Sequence, residues 1–145
     1  MGVGTIIVAD GDRWICEMLG EFFATEGYRV TLANGADALF LALRRDRPHL
    51  VLLDADLPSA GGLPELPRLR RGHPALPVIV LSATPDLGVA LESVALGAAA
   101  CLFKPLDLDH LSHAVAAHIA PRRPASSRDN LLSRWAPEWV LSPTL

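Results

Sequence analysis

Polar residues stand at the ends of four apolar runs in this chain, and their types are those that phosphate chemistry needs. Asp10 and Asp12 follow Thr5-Ile6-Ile7-Val8-Ala9, Asp54 follows Leu50-Val51-Leu52-Leu53, Ser82 follows Val78-Ile79-Val80-Leu81, and Lys104 follows Cys101-Leu102-Phe103. Runs without polar alternation read as strands buried on both faces, the pattern of parallel sheets under helices, and ligands of such sheets gather at strand carboxyl ends. A single strand-end carboxylate is as often a turn or cap residue as a site. Carboxylates, one hydroxyl and one ammonium converging on one edge carry more meaning. Carboxylate oxygens hold a hard cation such as Mg²⁺, while Ser82 and Lys104 would donate to phosphoryl oxygens.

That edge forms only if helices return the chain between strands. Arg13 to Glu26 places Ile15, Met18, Leu19, Phe22 and Phe23 at helical spacing, with Gly27 as its stop. Tyr28 to Leu32 alternates as a strand. Asn34-Gly35 then turns the chain into a helix over Ala36 to Arg45, with Leu39, Leu41 and Leu43 and a basic end that suits the helix dipole. A helix around Leu63 to Arg71 carries Pro64 and Pro67, so it is expected to be short or to start irregularly. Further helices read from Asp86 to Leu96, closed by Gly97, and from about Leu108 to Ala120, burying Leu108, Leu111, Val115 and Ile119. Strand and helix alternate throughout, which predicts an α/β fold: a parallel sheet with right-handed crossovers and helices on both faces.

Composition narrows the function classes. With 145 residues and 50% hydrophobic content, the chain can bury one substantial core. A net charge of -3 lacks the basic footprint of a direct nucleic-acid binder. Cys16 and Cys101 lie far apart with no metal spacing around them, so they read as small buried hydrophobes in a reducing cytoplasm. No apolar run approaches membrane-spanning length. Residues 1–120 read as one domain. Residues 121–145 read as a linker-like tail containing Trp135 and Trp139, a candidate interaction arm and homodimer contact. His110 and His113 read as a solvated helix face, and Trp14 as a partly buried residue beside the carboxylates.

Over residues 5 to about 119 the chain resembles the receiver domain of two-component response regulators. Asp54 falls at the family's phosphoacceptor, Leu57-Pro58 and Gly62 at the turn that follows it, Ser82-Ala83 at its Thr/Ser-Ala, and Lys104-Pro105 at its Lys-Pro. The resemblance implies a flavodoxin-like doubly wound (βα)5 fold with strand order 2-1-3-4-5. It also implies a cis Lys104-Pro105 bond, and phosphoryl transfer to Asp54 from a histidine kinase or histidine phosphotransfer protein. Mg²⁺ would be held by Asp10, Asp54 and the backbone carbonyl of Asp56, and Ser82, Ala83 and Lys104 would meet the phosphate. Output would pass to a protein partner through the face of the fourth helix, fifth strand and fifth helix, without a DNA-binding output domain.

Two departures stand out. The family places two adjacent acids after the first strand, where this chain has Asp10-Gly11. A direct metal ligand is therefore missing, Asp12 is its possible substitute, and weak Mg²⁺ binding is expected. The family's switch aromatic falls on Cys101, which cannot report by ring rotation. These departures suggest a second reading, a pseudo-receiver acting as a phosphorylation-independent interaction module. A remote third is a haloacid-dehalogenase-like phosphatase, from Asp54-Ala55-Asp56; its later metal ligands would fall on Asp107 and Asp109, where helix caps belong.

Overall fold

Strands and helices alternate in the computed structural model, which describes residues 3–58 and 62–119. β1 (Thr5–Ala9) leads into α1 (Arg13–Thr25), and β2 (Arg29–Ala33) into α2 (Ala36–Asp46). β3 (Leu50–Asp54) is followed by a 3₁₀ turn (Leu63–Glu65) that continues as α3 (Leu66–Gly72). β4 (Val78–Ser82) leads into α4 (Leu87–Ala95), and β5 (Ala100–Phe103) into α5 (Leu108–Ile119). All neighbouring strands pair in parallel in the order β2-β1-β3-β4-β5. This is the flavodoxin-like doubly wound sheet, and its strand order reverses direction between β1 and β3.

The period of two along each strand divides the core into two layers. Ile7, Ala9, Val51, Leu53, Val78 and Val80 pack against α2 and α3 through Leu39, Leu43, Leu66 and Leu69. Their alternates Ile6, Val8, Leu50, Leu52, Ile79 and Leu81 pack against α1 and α5 through Leu19, Phe23, Leu111 and Val115. β3 and β4 are buried at all five positions each, which is why their sequences show no polar alternation. The sheet is thereby clamped between helical layers, and its carboxyl edge is a rigid platform.

Several expectations need correction. Leu41 is 52% exposed, because residues two apart on a helix point to different sides and only Leu39 and Leu43 share the buried stripe. Trp14 is 71% exposed rather than packed. Leu108 is half-buried at the start of α5, and Cys101 is half-buried on a strand with no fully buried position. The prolines displace the helix start: Pro64 lies in the 3₁₀ turn and Pro67 in the first turn of α3, where a missing N–H costs nothing. The tail over residues 121–145, with its linker, Trp135, Trp139 and homodimer contact, lies outside the described residues.

Candidate functional site

The sheet ladder runs one residue past several strands, and this fixes the backbone of the polar residues at the edge. The N–H of Asp10 donates to Ala33 O at 3.0 Å, that of Ala55 to Leu81 O at 2.8 Å, and that of Lys104 to Ser82 O at 2.8 Å. Asp10, Asp54, Ser82 and Lys104 are thus held on adjacent strands at the same edge. Asp10 and Ser82 are 1% exposed and Asp54 is 7% exposed, deep enough for charge to interact strongly.

Lys104 ties the edge together. Its Nζ lies 2.8 Å from Asp10 Oδ2 and 3.7 Å from Asp54 Oδ1, and the Lys104–Pro105 peptide bond is cis. Burial works against the ammonium, but the Asp10 hydrogen bond and the Asp54 charge outweigh it and hold the Lys104 pKa above its ordinary value. Asp54 moves the other way in stability terms. Burial pushes its pKa up, Asp10 adds to that, and the N–H of Asp56 (3.1 Å to Asp54 Oδ1) and Lys104 only partly oppose it. A carboxylate whose pKa is raised by burial and by a second carboxylate at a strand carboxyl end marks a candidate functional site.

The remaining residues divide into those that face the site and those already occupied. Asp12 is the N-cap of α1, its Oδ1 accepting from Trp14 N at 2.9 Å and Ile15 N at 3.2 Å. Its own N–H donates to Asp10 Oδ1 at 2.8 Å. Ser82 Oγ is turned onto its own loop, donating to Thr84 O at 3.2 Å and accepting from Thr84 N at 3.1 Å. Ala83 and Asp56 are exposed. Asp107 caps α5 by accepting from Asp109 N and His110 N. Two contributors escaped the sequence reading: Asn34, whose amide donates to Asp10 O at 3.3 Å, and Thr84. Asn34 read only as a turn residue, yet its side chain holds the backbone carbonyl of Asp10. Cys16 lies beneath, its thiol 3.2 Å from Asp10 O, and burial pushes its pKa up.

Mg²⁺ commonly takes one or two carboxylates and fills the rest of its octahedron with water and phosphate oxygens. Asp10 and Asp54 are hard oxygen donors at the ends of neighbouring strands, of the kind such a largely hydrated ion takes, although Lys104 and the Asp12 N–H already engage both oxygens of Asp10. Among the described residues no group of three His, Cys, Asp or Glu side chains gathers as a metal cage.

A family model, the response regulator receiver domain, matches residues 6–116. The chain belongs to this family. Among similar proteins, sporulation initiation phosphotransferase F of Bacillus subtilis is 36% identical over 111 residues, covering 76% of this chain and 89% of that protein. The transcriptional regulator NtrC of Bradyrhizobium is 34% identical over 128 residues, covering 88% of this chain but 27% of its own length. Against several of the matched transcriptional regulators this receiver spans less than half their length. Of solved structures, the receiver domain of NtrX from Brucella abortus superposes with a TM-score of 0.76 at 27% identity, covering 81% of this chain and 99% of that one. The receiver domain of Francisella response regulator 1452 gives 0.76 at 25% identity, covering 80% and 96%. Receiver domains are signalling domains of two-component systems. Among the described residues no helix is long and apolar enough to cross a membrane.

Proposed function

We propose that Asp54 of this receiver accepts a phosphoryl group from a histidine kinase or a histidine phosphotransfer protein in the cytoplasm, and that the phosphorylated domain signals through protein contacts. The observation that carries this reading is the Lys104 ammonium at 2.8 Å from Asp10 and 3.7 Å from Asp54. A carboxylate oxygen of Asp54 attacks phosphorus, the bond from phosphorus to the donor's imidazole nitrogen breaks, and an acyl phosphate forms. Lys104 neutralises charge on the transferring oxygens, and the Asp56 N–H fixes the attacking carboxylate. Asp10, Asp54 and the Asp56 carbonyl would hold Mg²⁺, which when bound supplies further charge neutralisation. Ser82 would leave Thr84 to donate to the phosphate, with Ala83 beside it. That exchange biases a pre-existing equilibrium of the loop rather than creating a new state. With Cys101 at the switch position, the output differs from a ring rotation.

The output face fits a protein partner. Leu87, Leu91 and Val94 of α4 are 72%, 62% and 58% exposed and lie along one helical stripe beside β5. The Bacillus relative is named a phosphotransferase, which accords with a place in a phosphorelay.

A second reading, a phosphorylation-independent module, draws on Gly11 and on the full engagement of Asp10 by Lys104 and Asp12. Labelled acetyl phosphate separates the two. Incorporation that rises with Mg²⁺ and vanishes in Asp54→Asn supports the phosphoacceptor; no Asp54-dependent label even at high Mg²⁺ supports the module.

A further inference from the structure

β2 is the outer strand beside β1, and between it and α1 runs a groove of about 360 Å³, apolar along its floor and acidic at its rim. Gly20 keeps the floor open. A Cβ there would lie 3.2 Å from Leu32 Cδ2, so glycine lets Leu32 settle against the helix without crowding. Leu32 stays 41% exposed all the same, and exposed Ala24 and half-buried Val30 complete the apolar part. Glu17 and Glu21 form the rim. They are exposed, one helical turn apart, and among the described residues neither makes an ion pair. Like charges at that spacing repel each other, so the rim favours a cation.

The described chain ends beside this groove. α5 stops at Ile119, whose Cδ1 lies 3.2 Å from a Cβ placed on Gly4, and Gly4 O accepts from the N–H of Arg29, the first residue of β2, at 2.9 Å. The end of α5 is therefore about one strand spacing, ~5 Å, from β2. The exposed stripe of α4 is farther away, beside β5, which lies three strands from β1 or about 14 Å. It is also on the other side of the sheet, since Leu96 packs in the layer of α2 and α3 and Ile119 in that of α1 and α5. The sequence that follows is basic and apolar where the groove is acidic and apolar. Residues 121–145 carry Arg122, Arg123, Arg128 and Arg134 against Asp129 and Glu138, and Arg128 and Arg134 bracket Leu131-Leu132 just before Trp135.

We infer that residues 128–135 dock in the α1–β2 groove of their own chain, their leucines and Trp135 covering Leu32 and their arginines meeting Glu17 and Glu21. The distances allow it. The groove runs about 10 Å along α1 from Ala24 to Glu17, and residues 120–127 reach up to about 27 Å when extended. A groove this small holds a free peptide weakly, but tethering through α5 raises the effective concentration to the order of millimolar, so the same contacts suffice within one chain. The docking does not depend on phosphorylation of Asp54.

The test uses the full chain carrying Trp14→Phe and Trp139→Phe, which leaves Trp135 as its one tryptophan, and reads acrylamide quenching of its fluorescence. Docked, Trp135 should quench at least about twofold less than in the urea-unfolded chain. Adding Glu17→Lys and Glu21→Lys should raise quenching to near the unfolded value, and Arg128→Glu with Arg134→Glu should do the same from the other side. All four together should restore protection, because the reversed charges are again complementary. Leu32→Ser, with the acidic rim intact, should also raise quenching. Equal quenching in the starting chain and in the Glu17→Lys, Glu21→Lys variant, or no recovery when the four reversals are combined, would overturn the inference. So would protection that disappears on dilution, which would mean docking on a second copy, and quenching at the unfolded level in the starting chain, which would leave the groove to another protein.

Discussion

At the scale of single residues, the site holds the Asp54 charge against its own stability. Asp54 is buried beside Asp10, and its raised pKa means that the folded chain binds this proton more tightly than the unfolded chain does. Its ionisation therefore costs stability as pH rises from the ordinary carboxylate value near ~4 through the raised one; the cost is absent below that window and complete above it. Asp54→Asn keeps an oxygen for the Asp56 N–H and removes the cost. We expect it to stabilise the fold by on the order of 1 kcal/mol at pH 7, with no gain below that window, measured by urea unfolding across pH. Lys104→Ala should act in the opposite direction. It strands Asp10, 1% exposed, as an uncompensated buried charge, at a cost of about 3 kcal/mol. A loss much below 1 kcal/mol would mean that water already reaches the pair. Asp54, Ser82 and Lys104 were legible in the sequence because each ends an apolar run. The roles of Asn34 and Thr84 were not, because they arise from loop geometry and from contacts between segments brought together by the fold.

At the scale of elements, apolar runs, helical spacing and caps outlined the strands and helices, with α3 starting at Leu66 after a 3₁₀ turn rather than at Leu63, and the misjudged side chains have separate physical causes. Spacing reveals which side of a helix is apolar only when residues three or four apart are compared, and Leu41 was counted with neighbours two positions away. Trp14 follows the Asp12 cap on the exposed first turn of α1, where none of the other described elements covers it. α4 likewise carries an apolar stripe, Leu87, Leu91 and Val94, that the other described residues leave exposed. Leu91→Ser should change stability by less than about 0.5 kcal/mol, whereas Leu111→Ala on α5, fully buried in the core, should cost about 3 kcal/mol. Equal losses in the two variants would show that α4 is covered in the isolated chain and is not an open docking face.

At the scale of the whole molecule, the parallel order β2-β1-β3-β4-β5 brings distant residues to one edge. Asp10 and Lys104 are 94 positions apart in the chain and 2.8 Å apart in space. The alternation of strand and helix predicted a parallel sheet with both faces covered, but strand order came from family resemblance, since periodicity says nothing about which strands are neighbours. The central claim is that this arrangement makes Asp54 a phosphoacceptor, and intact-mass measurement after incubation with phosphoramidate and Mg²⁺ tests it most directly. The account predicts one phosphoryl adduct on the wild-type chain and none on Asp54→Asn. An unmodified wild-type chain, or the same adduct on the variant, would contradict it.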